Sequence, residues 1–160
     1  MSRCPATLLL MTALLLGATA PASAQGRPLN PLGRQNLTFG SLLPGVRTTV
    51  SRLDAANAGQ FEVRGQRLTE VEIDLTLPAA LTSMSGRTLP LEFGPADGGI
   101  SSTPVIGAST AFDPRVPVRW RLSNNGRAYV FLGGSAVPGP NQAGGTYTAT
   151  VVLTVAYTGN

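Results

Sequence analysis

The 160-residue sequence predicts an all-β protein, an antiparallel two-sheet β-sandwich of seven or eight strands. Residues 146–157 carry the clearest signal, because odd positions hold Tyr, Ala, Val, Leu, Val and Tyr while even positions are mostly threonine. Residues 70–77 repeat this alternation, with apolar side chains set against Glu70, Glu72 and Asp74. Side chains alternate between the two faces of a strand, so each segment has one apolar face. The polar second face favours antiparallel pairing, since buried parallel strands lose it.

Short alternating stretches, separated by Gly, Pro and Asn turn signals, complete the predicted sandwich. The other predicted strands lie around Leu37 and Phe39 and over residues 46–50, 60–64, 89–93, 116–122 and 129–132. We find no convincing helix after the N-terminal segment.

The connections between these strands carry their own predictions. Pro90 favours an edge position for its strand, because proline cannot donate to a ladder. Asn124-Asn125-Gly126 is typical of a type I′ hairpin turn. Residues 94–115 form a long, weakly patterned connection that could hold a short strand around Val105-Ile106. Residues 133–145 are a second connection, rich in Gly and Pro.

The first 24 residues predict a signal peptide that is removed on export. Arg3 supplies a positive start, residues 6–16 form an apolar run too short to span a membrane, and Ala22-Ser23-Ala24 is a small-x-small cleavage site. A buried N-terminal helix is the alternative, but the order of the three features favours the signal peptide. We therefore expect a secreted protein in the periplasm, on the cell surface or outside the cell.

Cleavage leaves 160 − 24 = 136 residues, which suits one domain with its own core. Residues 25–35 predict an irregular leader, since Pro28, Pro31 and Gly33 disfavour a regular ladder. A single β-sandwich domain is then expected over residues 36–158.

The mature chain offers little for catalysis. It has no histidine or lysine, and the single cysteine, Cys4, is lost with the signal peptide, so the familiar nucleophile–base pairs are missing. Glu70, Glu72 and Asp74 could form a carboxylate pair or a calcium site, since alternate residues of a strand lie about 7 Å apart. A solvated sheet face explains them better. We predict a protein that is not an enzyme and has no catalytic, cofactor-binding or metal-binding residues.

Two further groups are weak candidates for binding. Asp97 and Asp113 lie in the glycine-rich connection and could ligate a hard cation, but a role in turns is favoured. Arg119-Trp120-Arg121 could stack and bind, but the alternation directs Trp120 into the core and both arginines outward. The predicted core members of that stretch are Val116, Val118, Trp120 and Leu122.

The charge balance is mildly basic. The formal net charge of +4 falls to +3 when Arg3 is removed, and every basic residue is an arginine. These arginines form no clustered stripe of the kind that predicts nucleic-acid binding. No later segment approaches the length of a membrane span, so neither nucleic acid nor a membrane is expected as a partner.

Two stretches carry a family likeness. They are Asn36-Leu37-Thr38-Phe39-Gly40-Ser41-Leu42-Leu43-Pro44-Gly45, and Gly133-Gly134-Ser135-Ala136-Val137-Pro138 with the Asn141-Gln142-Ala143-Gly144-Gly145-Thr146-Tyr147-Thr148 that follows. Together they resemble a bacterial secreted domain family of unassigned function, which is similar to the spore coat protein U domain and to fimbrial subunits. The likeness covers roughly residues 36–158. It implies an immunoglobulin-like, pilin-like sandwich outside the cytoplasm, with no cofactor.

The leading expectation is therefore an exported, non-enzymatic structural or adhesive surface protein that resembles a fimbrial subunit. Fimbrial-type subunits or an assembly chaperone are its expected partners, and it would assemble through an open sheet groove or edge strands. We expect Leu153, Val155 and Tyr157 to line the inner face near such a groove. The alternative is a self-complete, monomeric binding module of the periplasm or surface, with residues 94–115 as its contact region.

Overall fold

A computed structural model describes residues 26–159 of the chain. The predicted all-β class is confirmed, because the regular structure of these residues consists of antiparallel strands and one short 3₁₀ turn. The strands are β1 (Asn30–Gln35), β2 (Thr48–Val50), β3 (Gly59–Arg64), β4 (Glu70–Thr76), β5 (Ala80–Ser83), β6 (Thr88–Glu92), β7 (Gly98–Ser101), β8 (Thr110–Phe112), β9 (Val118–Arg121), β10 (Arg127–Leu132), β11 (Gly134–Ala136), β12 (Tyr147–Thr148) and β13 (Val152–Tyr157). The predicted signal peptide, residues 1–24, lies outside the described residues.

The strands form three sheets. Sheet 1 has the order β1-β3-β10-β7-β8, sheet 2 the order β13-β4-β9, and sheet 3 the order β12-β5-β6-β11-β2. The chain passes directly between sheet 3 and each of the other sheets, because β10 leads into β11, β4 into β5, and β12 into β13. Gly133 allows the first of these crossings: a Cβ there would lie 2.5 Å from the Val50 carbonyl oxygen and the Arg52 nitrogen.

Sheets 1 and 2 pack face to face over the main core, which makes the architecture sandwich-like. The fully buried members of this core are Val63, Val71, Ile73, Leu75, Ile100, Leu122, Ala128, Val130 and Leu132. The inward direction predicted for Val71, Ile73 and Leu75 is thus confirmed. A smaller cluster on sheet 3 holds Leu89 and Leu91, against which Phe39 packs from the segment between β1 and β2.

The structure differs from the predicted irregular leader over residues 25–35. Residues 30–35 form β1, which pairs antiparallel with β3 and extends the sheet before the predicted boundary at residue 36. Pro31 is tolerated because β1 is an edge strand, where one side of the backbone needs no donor. The register shifts between Gly33 and Gln35, which marks a β-bulge at Arg34.

The final alternating stretch, residues 146–157, is two strands and not one. β12 pairs with β5 in sheet 3, whereas β13 pairs with β4 in sheet 2. Residues 149–151 join them as the chain passes from one sheet to the next. Crossings of this kind, together with the short β5, β7, β8 and β11, explain why the described chain has more strands than the predicted seven or eight.

The edge position predicted for Pro90 is wrong, since β6 lies between β5 and β11. The β6–β11 ladder ends at the pair Ala136 and Leu91. Beyond this pair the Pro90 carbonyl accepts from the Val137 N–H at 2.9 Å. Proline is accommodated inside the sheet because it stands where one ladder stops.

Residues 94–115 are more regular than predicted. They contain β7 and β8, which pair with one another, and the 3₁₀ turn Ile106–Ala108 stands where a strand around Val105-Ile106 was expected. Glycine-rich β7 escaped detection because two of its four residues have no side chain to alternate. The likewise glycine-containing β11 lies inside the predicted 133–145 connection.

The turn at Asn124-Asn125-Gly126 is present but is not of type I′. Gly126 alone of the three has a positive φ, 67°, and its N–H donates to the Ser123 carbonyl at 2.8 Å. The Ser123 N–H donates to the Arg127 carbonyl at 3.0 Å, which closes a three-residue loop with glycine in the left-handed position. The flanking strands then diverge, because β9 belongs to sheet 2 and β10 to sheet 1.

Candidate functional site

An open seam separates the free edges of the sheets. On one side lie β1 and residues 36–44; on the other lie β12 and residues 149–151, which lead into β13. The space between them, here called the seam groove, consists of a cleft of about 780 Å³ and a cavity of about 260 Å³. The two parts share the lining residues Asn36, Leu37, Phe39, Leu81 and Ala149.

The lining of the seam groove is uncharged throughout the described residues. Its floor is apolar, with Phe61, Leu91, Phe93 and Val151 in the smaller cavity. Amide and hydroxyl side chains of Asn36, Thr38, Gln142, Thr146 and Thr148 occur along the larger cleft. A groove of this kind suits an extended chain that buries every second side chain and leaves the others in water.

Residues 36–39 resemble a strand that lacks a neighbour, and Gly40, with a φ of 67°, ends this extended run. Leu37 and Phe39 are half-buried and alternate with the exposed Asn36, Thr38 and Gly40, as predicted for a strand. No ladder forms there: among the described residues, the backbone N–H groups of residues 39–43 find no hydrogen-bond partner. The Thr38 N–H makes one contact, to the Asn57 carbonyl at 2.9 Å.

Leu153, Val155 and Tyr157 pack against the main core, so their predicted inward direction is confirmed. They do not line the seam groove, which is bordered instead by residues 149–151 just before them. The Tyr157 hydroxyl accepts from the Gln66 N–H at 2.7 Å and donates to the Arg27 carbonyl. This contact ties the end of β13 to the start of the described chain.

A second feature, absent from the sequence-based predictions, lies on the outer face of sheet 1. Glu62 is only 2 % exposed, although its position in β3 alternates with the core residue Val63. Arg64 Nε donates to its Oε1 at 2.8 Å, and Arg34 Nε donates to its Oε2 at 2.8 Å. The Arg127 Nη1 lies 3.5 Å from Oε1. We call Glu62 with these three arginines the arginine cluster.

Hydrogen bonding from Arg64 and Arg34 lowers the pKa of Glu62 from 4.5 to about 2, against the opposing effect of burial. Leu32 and Tyr129 flank Glu62 as its cross-strand neighbours. The sequence could not reveal this cluster, because its arginines come from three strands far apart in the chain. The only local signal is the Glu-x-Arg pair of one strand face.

The predicted acidic candidates lie where a solvated face would place them. Glu70, Glu72 and Asp74 follow the outer face of β4, and Arg119 Nε approaches the Glu72 carboxylate at 3.4 Å. Asp97 accepts from the Gly94 N–H at 2.6 Å, and Asp113 accepts from the Arg115 N–H at 3.0 Å. Within the described residues, no group of three or more acidic, His or Cys side chains is placed to hold a metal ion.

Trp120 is half-buried and packs against the main core, as predicted, with Arg119 and Arg121 exposed. Its Nε1 is buried and has no hydrogen-bond partner among the described residues. Val116 is 54 % exposed, so its predicted core position is wrong. It belongs to a turn, in which its N–H donates to the Asp113 carbonyl at 3.3 Å, and β9 begins only at Val118.

No protein-family model matches the chain, and no curated protein is similar to it in sequence. Across residues 26–159, no helix is long and apolar enough to cross a membrane.

Proposed function

We propose that the chain is an exported, non-enzymatic structural or adhesive surface protein of the fimbrial-subunit kind, with an immunoglobulin-like sandwich. It takes up an extended segment of a protein partner in the seam groove. Strand addition of this type draws its affinity from backbone hydrogen bonds and its specificity from pockets for alternate side chains. Both requirements are available along the seam.

The observation that carries the proposal is residues 36–44. Residues 36–39 alternate in exposure like a strand, most of the segment lines an uncharged groove, and the backbone N–H groups of residues 39–43 have no partner among the described residues. The opposite wall consists of β12, an edge strand of sheet 3, and of residues 149–151. Exposed strand edges with unpaired backbone groups are the usual template for pairing with another chain.

Ala149 and Ala156 provide a matched pair of variants. Ala149 is exposed and lines both parts of the seam groove, whereas Ala156 is exposed on β13 outside both. We expect Ala149→Trp to obstruct an incoming strand without disturbing the core, and Ala156→Trp to leave the groove open. The full chain, produced in a bacterial periplasm, would be compared by chemical cross-linking and by mass in solution.

The proposal predicts cross-linked ladders or a partner-bound mass for the wild type and for Ala156→Trp, and a monomer for Ala149→Trp. Equal thermal midpoints for the three proteins would show that folding is not the cause. Assembly that persists in Ala149→Trp would contradict a role for the seam groove.

One observation favours the alternative of a self-complete monomeric binding module. β1 already pairs with β3 inside the chain, and Tyr157 fastens the start of the described segment. A wild-type protein that unfolds reversibly as a monomer at every concentration would support this alternative. Its expected contact region narrows to residues 102–108, because Ile100 within the predicted 94–115 connection is a core residue.

A further inference from the structure

Five arginines collect at one end of sheet 1. Arg34, Arg64 and Arg127 belong to the arginine cluster, and Arg27 and Arg67 line a neighbouring open cleft of about 600 Å³ with Asn124 and Asn125. We call these five side chains, with Glu62, the basic end. The cleft adjoins the cluster along the backbone, because its lining residues Gly65 and Asn125 lie within two positions of Arg64 and Arg127.

The basic end holds the whole basic excess of the described chain. Residues 26–159 contain 11 arginines and 8 acidic residues, a formal charge of +3. The basic end contributes 5 − 1 = +4, and the rest of the described chain contributes 6 − 7 = −1. The fold therefore gathers arginines that are scattered in the sequence into one patch of net positive charge.

Glu62 holds the cluster arginines in place and remains hidden beneath them. It is 2 % exposed, whereas the side chains of Arg34, Arg64 and Arg127 are 47 %, 35 % and 46 % exposed. The recorded hydrogen bonds from Arg34 and Arg64 use Nε and Nη2 of each guanidinium. Their Nη1 groups are left to face other acceptors. Fixed guanidinium groups lose less entropy when they bind an anion.

We propose that the basic end binds an acidic polysaccharide, whose carboxylates the arginines receive and whose hydroxyls Asn124 and Asn125 contact. Arginine pairs with carboxylates through two parallel N–H···O bonds. The asparagine amides supply the donors and acceptors that sugar hydroxyls need. Glu62 acts as a positioning residue and makes no contact with the polysaccharide.

A nucleic acid is the less favoured polyanion. Proteins that bind single strands stack successive bases on several aromatic side chains. The lining of the cleft includes no aromatic residue, and the half-buried Tyr129 is the one that flanks Glu62 in the arginine cluster. A duplex-binding protein typically makes about six to ten phosphate contacts, more than five arginines supply at one each. The proposal does not depend on strand uptake, because the seam groove and the basic end share no lining residue.

The test uses the purified full chain, with polygalacturonate as the acidic probe, neutral dextran as the control polymer and double-stranded DNA as the competing polyanion. Arg127 and Arg87 form a matched pair, because both follow a Ser-x-x-Gly turn in which the arginine N–H donates to the serine hydroxyl at 3.1 Å. Arg87 lies at the β5–β6 turn of sheet 3, outside the basic end.

We expect polygalacturonate to bind and dextran not to bind. Arg27→Gln/Arg67→Gln and Arg127→Gln should each weaken binding about tenfold, with a shallower salt dependence, while Arg87→Gln should bind like the wild type. Equal thermal midpoints for these variants would exclude unfolding as the cause. Failure to bind polygalacturonate, an equal loss in Arg87→Gln, or tighter binding of DNA than of polygalacturonate would each overturn the proposal.

Discussion

Glu62 and Glu72 occupy equivalent places in the two packed sheets and differ sharply in environment. Each lies on the outer face of a central strand, β3 in sheet 1 and β4 in sheet 2, with arginines nearby. Glu62 is 2 % exposed and accepts hydrogen bonds from Arg34 and Arg64, whereas the Glu72 side chain is 45 % exposed and meets Arg119 at 3.4 Å. The same residue type thus forms a buried network in one sheet and a loose surface pair in the other.

The cross-strand neighbours explain the difference. Leu32 and Tyr129 flank Glu62, whereas Ala156 and Arg119 flank Glu72. Large neighbours shield a carboxylate from water, and a small one leaves it open. Burial strengthens ion pairing only when the charge is well supplied with hydrogen bonds, which the bulged edge strand β1 provides through Arg34. An outward position in the alternation therefore does not guarantee a solvated side chain.

The largest expected effect comes from the matched variants Glu62→Gln and Glu72→Gln. Removal of the Glu62 charge leaves three arginines packed together without their shared acceptor, so we expect a loss of about 3 kcal/mol in the free energy of unfolding. Glu72→Gln should stay within about 0.5 kcal/mol, as is usual for an exposed pair. Urea denaturation measures both, and equal losses would show that the two sites are energetically alike.

Lowering the pH should remove the stabilising contribution of the Glu62 carboxylate without a mutation. The folded-state pKa of Glu62, about 2, lies below its ordinary value of 4.5, so its contribution is complete above pH 4.5 and is lost as the pH falls towards 2. We expect a loss of about 2 kcal/mol over this interval, reduced by the partial exposure of the arginines.

Comparison with Glu62→Gln separates the contribution of Glu62 from that of the other carboxylates during acid unfolding. The pKa values of Asp54 and Asp113 are also lowered, the first by a hydrogen bond from Asn57 and the second by one from Arg115, and the variant retains both groups. Stability curves of wild type and Glu62→Gln, measured between pH 5 and pH 2, should therefore converge as the pH falls. Parallel curves would show that groups other than Glu62 cause the acid sensitivity.

Arg34 and Arg119 give a smaller contrast. Arg34 donates to Glu62 through Nε and Nη2, whereas Arg119 makes one long contact with Glu72. Because Arg34 is itself half-exposed, Arg34→Gln should cost about 1 kcal/mol, and Arg119→Gln should have almost no effect. A double-mutant cycle with Glu62→Gln measures the coupling directly, and a coupling near zero would remove Arg34 from the network.

The sequence predicted what depends on alternation and missed what depends on edges and crossings. The β3, β4 and β10 strands and the inward direction of Val71, Ile73 and Leu75 follow from period-two patterns. The split of the final stretch does not, because the alternation continues unbroken while the chain changes sheet. Proline in β1 and glycine in β7 hid two further strands, since those residues disfavour strands except where position compensates.

The two candidate sites were predictable to different degrees, because alternation is visible in the sequence whereas strand order and register are not. The larger cleft of the seam groove is lined mainly by residues 36–44 and 142–149, two stretches that the sequence had already distinguished. The arginine cluster depends on the register of β1, β3 and β10, and on a bulge at Arg34. Spacing along the chain cannot supply that register before the strand order is known.

The smallest expected effect concerns β1, the strand that supplies Arg34 to Glu62. Gly33 in β1 borders the smaller cavity of the seam groove, and a Cβ at this position would meet nothing within 4 Å. Gly33→Val should restrict the unfolded chain and favour the extended backbone, which raises the free energy of unfolding by about 0.5 kcal/mol. Gly65→Val is the contrasting variant, since its Cβ would lie 2.7 Å from Leu29 and 2.8 Å from Tyr157, and it should destabilise. Hydrogen exchange of the β1 amides should slow in Gly33→Val. If stability falls or these amides exchange faster, the open space beside Gly33 does not accept a side chain.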